Sequence, residues 1–216
     1  MKLLVTGGRG VIGRALLPLV EAAGHDVYAP GADELDLFDL ETVQAAVSEV
    51  DAIMHLATRI RPLSDLDKPE LWRDNDRLRA EASRILTDAA LTADVWAYVQ
   101  PTVTFVYPSE GPATEDTPVG EVAEILRSAL TAERNTASFA ARGRCGVTLR
   151  LGLLDGPGTG HDEPNPNLGA TLDVRDAAEA LLASLRVPSG IYNVCRDNER
   201  VSNERFRALA GWRPRH

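Results

Sequence analysis

The sequence predicts an α/β fold in which a doubly wound parallel sheet forms one domain. Three observations carry the prediction. Short apolar runs recur along the chain, such as Leu3-Leu4-Val5 and Ala52-Ile53-Met54, and read as strands buried on both faces. Stretches of helical periodicity lie between them, so strand and helix alternate as in a sheet covered on two sides. The first strand breaks at Thr6 into a glycine-rich turn, and a helical pattern follows at once.

In chain order, residues 11–23 read as a helix with Ile12, Leu16, Val20 and Ala23 on one face. Pro18 removes one of its backbone bonds and Gly24 closes it. Residues 25–29 form the second strand, and Asp39 is placed to cap a helix over residues 40–50. Residues 52–57 read as a buried strand. A polar segment leads to Pro69, well placed for the first turn of a long helix over 70–93. A strand at 95–99, a Pro/Thr/Glu-rich loop at 101–118, a helix at 120–142 and a strand at 146–151 follow. Residues 155–169 are a Gly/Pro/Asn-rich loop, and a helix begins at Asp173 or Asp176. A short strand at 191–194 precedes a last helix, capped by Ser202 and ended by Gly211.

Composition bounds the function. A chain of 216 residues suits one domain with a full core. Apolar residues at 44% and charged residues at 25% are ordinary for a soluble globular protein. A net charge of −9 with no basic cluster argues against nucleic acid and anionic membranes as partners. No apolar run approaches the roughly 20 residues of a membrane span. Only Lys2 precedes the first strand, so the N-terminus does not read as a signal peptide. Cys145 and Cys195 lack metal-ligand spacing and read as buried free thiols, which suits a reducing, cytoplasmic setting.

The glycine turn carries the chemistry. Gly7, Gly10 and Gly13 are spaced so that the first allows a sharp turn out of the strand. The second allows backbone N–H groups to approach a pyrophosphate, and the third allows close packing of helix on strand. A helix starting here aims unpaired N–H groups and its positive dipole end at an anion, so Gly7, Arg9, Gly10, Val11, Ile12 and Gly13 are expected to hold a dinucleotide.

Several collinear stretches resemble the extended branch of the short-chain dehydrogenase/reductase superfamily, the group of nucleotide-sugar epimerases, dehydratases and reductases. They are the glycine motif at 6–13, Glu34-Leu35-Asp36-Leu37-Phe38-Asp39, His55-Leu56-Ala57-Thr58, Val106-Tyr107-Pro108, residues 149–158, residues 173–178 and Tyr192-Asn193-Val194. The resemblance implies a Rossmann-type fold. It places Asp36 and Leu37 beside the adenine and Leu56, Ala57 and Thr58 along the middle of the cofactor. It implies a single domain over 1–216 whose substrate-binding C-terminal region is reduced to a remnant at about 155–216. It implies a small-molecule substrate, and a homodimer formed through the two long helices, with stripes Leu78-Ala82-Ile85-Leu86 and Val122-Ile125-Leu126-Ala129-Leu130.

The departures are as informative. The family works with a Tyr and a Lys one helical turn apart and a nearby Ser or Thr hydroxyl. Aligned on residues 130–133, the Tyr and Lys positions fall on Ile125 and Ala129; counted back from Tyr107, the hydroxyl position falls on Val103, and no lysine occurs after Lys68. Replacement groups are sought among Thr104 and Thr102, which flank the lost hydroxyl, Tyr107, and His161 in the loop that lines the substrate pocket of relatives. Glu115 and Asp116 are further pocket candidates. Glu133 reads as a packing or capping residue, His55 as a satisfied core histidine, and Asn75 equally as a family site residue or part of a solvated face.

Arg9 sits where NADP-dependent relatives contact the 2′-phosphate, and Tyr28-Ala29-Pro30-Gly31 offers no acid for ribose hydroxyls. Both features favour NADP over NAD. Three functions follow: an atypical NADP(H)-dependent oxidoreductase without the Tyr/Lys pair, a non-redox isomerase, cyclase or lyase, or a non-catalytic NADP(H) sensor or partner subunit.

Overall fold

A computed structural model describes residues 1–108 and 111–216. Residues 109 and 110, inside the loop expected over 101–118, lie outside the described residues. The framework is a parallel sheet of β1 (Lys2–Thr6), β2 (Asp26–Tyr28), β3 (Ala52–His55), β4 (Ala97–Val103), β5 (Cys145–Leu151) and β8 (Gly190–Val194) in the order β2-β1-β3-β4-β5-β8. The order reverses at β1, whose register pairs Leu3 with Val27 on one side and Thr6 with His55 on the other. Ligands of open α/β sheets dock in the crevice at the carboxyl ends beside such a switch point.

Side-chain alternation along the strands feeds two cores. Leu3, Val5, Met54, Val99 and Leu149 pack beneath α1 (Val11–Ala22) and α6 (Val174–Ser184). Leu4, Ile53 and Tyr98 face α2 (Leu40–Val47) and α4 (Ser83–Thr92) on the other side, where Phe139 of α5 (Arg127–Ala140) joins them. The fold expectation therefore holds: a parallel sheet covered on both faces.

Several boundaries differ from the sequence reading. The helix expected over 70–93 is a composite of a 3₁₀ turn Pro69–Trp72, α3 (Arg73–Arg77), a π-helical stretch Leu78–Ala82 and α4. The helix expected from residue 120 begins at Arg127, after a 3₁₀ turn Glu124–Leu126. The strand expected at 95–99 runs to Val103 through Pro101. That proline lies beyond the last β3 pair, Met54 with Val99, so no β3 partner needs its missing N–H.

A small parallel pair, β6 (Leu153–Asp155) and β7 (Thr171–Asp173), brackets the loop between them. Asn203, not Ser202, starts α7 (Glu204–Ala210), although the Ser202 hydroxyl accepts the Glu204 N–H at 3.3 Å. Among the described residues no helix is long and apolar enough to cross a membrane.

The apolar stripes expected to pair two copies are largely consumed within the chain. Ala82, Ile85, Leu86, Ile125 and Ala129 are all buried, and Arg84, Asp88, Arg127 and Arg134 are what these helices leave outside. Leu78, Val122, Leu126 and Leu130 of the two stripes stay partly exposed.

Candidate functional site

The glycine turn is built by close approach. Gly7 has φ +74°, and a Cβ there would lie 2.6 Å from the Ala57 nitrogen at the end of β3. A Cβ on Gly13 would lie 2.5 Å from the carbonyl oxygens of both Gly7 and Gly8. Glycine at these two positions lets β1, β3 and α1 meet without a layer of side chains between them. Gly10 donates to the Gly7 carbonyl at 2.9 Å and starts α1 with no side-chain cap. The next amides, of Val11, Ile12 and Gly13, point past the helix end, which leaves an anion cradle with the dipole behind it.

Beside the turn lies a cleft of about 420 Å³ lined by Thr6, Gly31, Asp36, Leu37, Ala57 and Thr58, with Asp74 and Arg77 opposite. The structure therefore brings Asp36, Leu37, Ala57 and Thr58 to one cavity next to the glycine turn, where Gly7 lies against Ala57, although none of residues 7–13 belongs to its lining. Leu56 too stays out of the lining: it is buried in the core beneath α1. The Arg77 guanidinium lies 4.0 Å over the Phe38 ring at the cleft's far end.

Arg9 has partners that the sequence reading missed. Its Nη1 donates to Asp33 Oδ1 at 2.9 Å and its Nη2 to Glu34 Oε2 at 3.2 Å. Glu34 Oε2 also accepts the Gly31 N–H at 2.6 Å. The expectation that no acid stands near the ribose end is corrected. Strand β2 stops at Tyr28, and the chain turns at Gly31 through hydrogen bonds from Glu34 and Leu35, which carries both acids back to Arg9. The signal was present as two acids three and four residues after Pro30.

A buried relay joins the turn to the helix layer. Thr6 Oγ1 donates to His55 Nδ1 at 2.7 Å, and His55 Nε2 donates to the Leu78 carbonyl at 3.0 Å. The π-helical stretch begins at Leu78, where the regular helical bonding pattern changes, and the imidazole occupies that carbonyl. Burial pulls the His55 pKa down to about 4, so the ring stays neutral.

The catalytic candidates are placed as follows. Val103 is half-buried at the end of β4, Ile125 is buried, and Ala129 has no exposed surface. Thr104 is buried, with its carbonyl accepting the Tyr107 N–H. Thr102 is engaged elsewhere: its hydroxyl donates to Glu133 Oε1 at 2.9 Å, and Glu133 holds Arg150. Tyr107 donates to Asn193 Oδ1 at 2.8 Å, lies under Arg150 at 4.8 Å, and burial raises its phenol above the ordinary range. In this conformation its proton is committed to Asn193.

Among the loop candidates, His161 is exposed, its carbonyl accepting the Gly156 N–H at 2.7 Å. Glu115 is engaged in bonds: its buried carboxylate accepts the Asn193 N–H at 2.9 Å and pairs with Arg205, and Asp116 pairs with the same arginine. Asn75 is fully buried and its Oδ1 accepts the Arg59 N–H at 3.1 Å, which removes the solvated-face reading.

The profile of the NAD dependent epimerase/dehydratase family matches residues 3–172. A "3-diazoavenalumate denitrifying reductase" from a Streptomyces species is 35% identical over 182 residues, covering 74% of this chain and 59% of that protein. A UDP-glucose 4-epimerase from Corynebacterium glutamicum is 27% identical over 175 residues, covering 69% of this chain and 50% of that protein. The chain thus spans about half to three-fifths of these relatives. Among solved structures, a UDP-N-acetylglucosamine 4-epimerase from Bacillus cereus superposes with a TM-score of 0.82 at 18% identity, over 100% of this chain and 94% of that one. RMD from Pseudomonas aeruginosa, complexed with NADPH, superposes at 0.79 and 18% identity, over 100% and 92%. At these identities the structures speak for the fold.

Proposed function

The chain belongs to the NAD dependent epimerase/dehydratase family, and from that membership we propose that it is a nicotinamide-dependent reductase of a small metabolite that requires no proton from a Tyr/Lys pair. The observation that carries the reading is the glycine turn, whose free amides at the start of α1 open beside a cleft of nucleotide size. The residues fit the group: Val11, Ile12 and Gly13 would hold the pyrophosphate, Asp36 and Leu37 would flank the adenine, and Ala57 and Thr58 would run along the middle of the cofactor. When bound, the cofactor supplies hydride.

The apolar side chains of Val103, Ile125 and Ala129 set the kind of acceptor. Hydride addition to a carbonyl leaves an alkoxide that must be protonated, and an acid usually stands beside it. Addition to a cationic acceptor, such as an iminium or an aryl diazonium, creates no anion and needs no acid. The relative named as a denitrifying reductase of a diazo compound supports this choice.

We assign NADP(H) as the cofactor, with Arg9 leaving Asp33 and Glu34 to meet the 2′-phosphate. Both ion pairs are solvent-exposed and weak, so exchange is easy. Asp33 and Glu34 support a second reading in which they accept the ribose hydroxyls of NAD(H). Residue neighbourhoods rich in apolar groups at 103, 125 and 129 also suit a cofactor-binding subunit without turnover.

Titration calorimetry with NADPH and NADH, followed by mixing the loaded protein with matched iminium, diazonium and ketone acceptors, tests the proposal. Tight NADPH binding with oxidation by cationic acceptors and none by ketones is expected. Failure of both cofactors to bind would remove the reading.

A further inference from the structure

Two buried polar side chains on the helix opposite the switch point lack partners that burial ordinarily demands. Arg79 is 5% exposed, its Nε has no hydrogen-bond partner, and among the described residues it forms no ion pair, the Asp76 carboxylate acting on it only at longer range. Asn75 is 0% exposed; its Oδ1 is satisfied by Arg59, yet its Nδ2 is unbonded. The two stand four residues apart, one helical turn, so they share a face. Leaving such donors unpaired in the interior is costly, and a buried unpaired charge more so. Burial also pulls the Arg79 pKa down to about 10.

Neighbouring bonds fix where this face looks. Ser128 of α5 donates to Asp76 Oδ1 at 2.6 Å, and Asn135 of α5 donates to the Ala80 carbonyl at 3.1 Å and to Ser83 Oγ at 2.7 Å. Arg79 therefore lies between two bridges to α5, at the level where that helix presents Ala129 and Ala132, both with no exposed surface. Arg77 and Leu78 line the nucleotide cleft, whereas Asn75 and Arg79 are absent from its lining. Asn75 thus reaches the Arg59 backbone outside the lining of the adenosine cleft, and Arg79 is flanked by the residues that bridge to α5.

We propose that Arg79 and Asn75 form a carboxylate-binding pair that receives an acid group of the substrate. Both present donors only, and the guanidinium fork matches the two oxygens of a carboxylate. The role in a reaction rests on the reductase reading, but the anion site itself does not. Charge balance supplies the logic: a carboxylate neutralises the buried cation, so substrate binding relieves a destabilised interior.

Melting of the cofactor-free and NADPH-loaded protein in sodium acetate tests the pair, with sodium chloride at equal ionic strength and acetamide as controls. Acetate should raise the melting temperature of the wild type above both controls, as expected for a ligand of the folded state. Arg79→Met should itself melt higher than the wild type, because it removes an unpaired buried charge, and should weaken acetate binding at least about tenfold. Asn75→Asp keeps an acceptor for the Arg59 N–H and supplies an internal carboxylate one turn from Arg79; it too should melt higher and no longer respond to acetate. An acetate response that persists in both variants, or one no larger than that to chloride, would overturn the pair. An Arg79-dependent response in a protein that ignores NADPH would retain the anion site and remove the reductase.

Discussion

Glu133 holds Arg150 by two parallel hydrogen bonds, Nε to Oε1 at 2.9 Å and Nη2 to Oε2 at 2.6 Å, with both side chains less than a tenth exposed. The pair ties α5 to β5, and Thr102 adds a bond from β4 to the same carboxylate. Desolvation makes such a pair a weak net stabiliser, but a strong liability when halved. Glu133→Ala should therefore lower unfolding stability by about 3–5 kcal/mol, measured by urea denaturation. The double variant Glu133→Leu with Arg150→Met should recover most of that loss.

Gly13→Ala tests the turn as a packing device. The added methyl would meet the Gly7 and Gly8 carbonyls at 2.5 Å, and backbone on both sides leaves little freedom to yield. Calorimetric melting should show a loss of about 1–3 kcal/mol, and NADPH affinity should fall with it. Gly24→Ala adds a Cβ that meets nothing within 4 Å, although its φ of +81° makes it strained; its effect should be confined to stability.

His55 gives the fold a pH dependence with a defined sign. Its folded pKa of about 4 lies below the ordinary 6.5, so the unfolded chain binds the proton more readily. This contribution is fully present above pH 6.5 and is lost as pH falls from there through about 4. It amounts to roughly 3 kcal/mol over that window. Urea titrations at several pH values should show the slope, and His55→Gln should flatten it.

Arg9→Ala should weaken NADPH binding about tenfold and leave NADH binding unchanged. Asp33→Asn should do the reverse for NADPH, since it removes a carboxylate that competes for the guanidinium. Titration calorimetry of the wild type and both variants with each of the two cofactors reads both effects. Stronger NADH binding throughout would favour the ribose-hydroxyl role of Asp33 and Glu34.

Local pattern made much of this molecule legible. The glycine spacing, the apolar strands and Asp39 as a cap all appear as read, with the Asp39 carboxylate accepting the Glu41 N–H at 2.9 Å. What escaped depends on chain geometry that no short window contains. The acids that meet Arg9 return through a turn at Gly31. Glu133 and Arg150 are 17 residues apart and meet only because α5 crosses onto β5. The π-helical stretch at Leu78–Ala82 leaves no sequence mark. Tyr107 and Glu115 looked reactive by type, and their bonds to Asn193 show them bracing the C-terminal strand.

The central claim is that the start of α1 is an anion site for a nicotinamide dinucleotide. Val11→Glu tests it most directly, because the fold and the ligand should respond in opposite ways. An acid in the first turn of a helix favours the dipole, so the melting temperature should stay level or rise. The same carboxylate opposes a pyrophosphate at the same amides, so NADPH affinity in titration calorimetry should fall more than about tenfold from the wild type. Equal NADPH binding by the variant and the wild type would contradict the account.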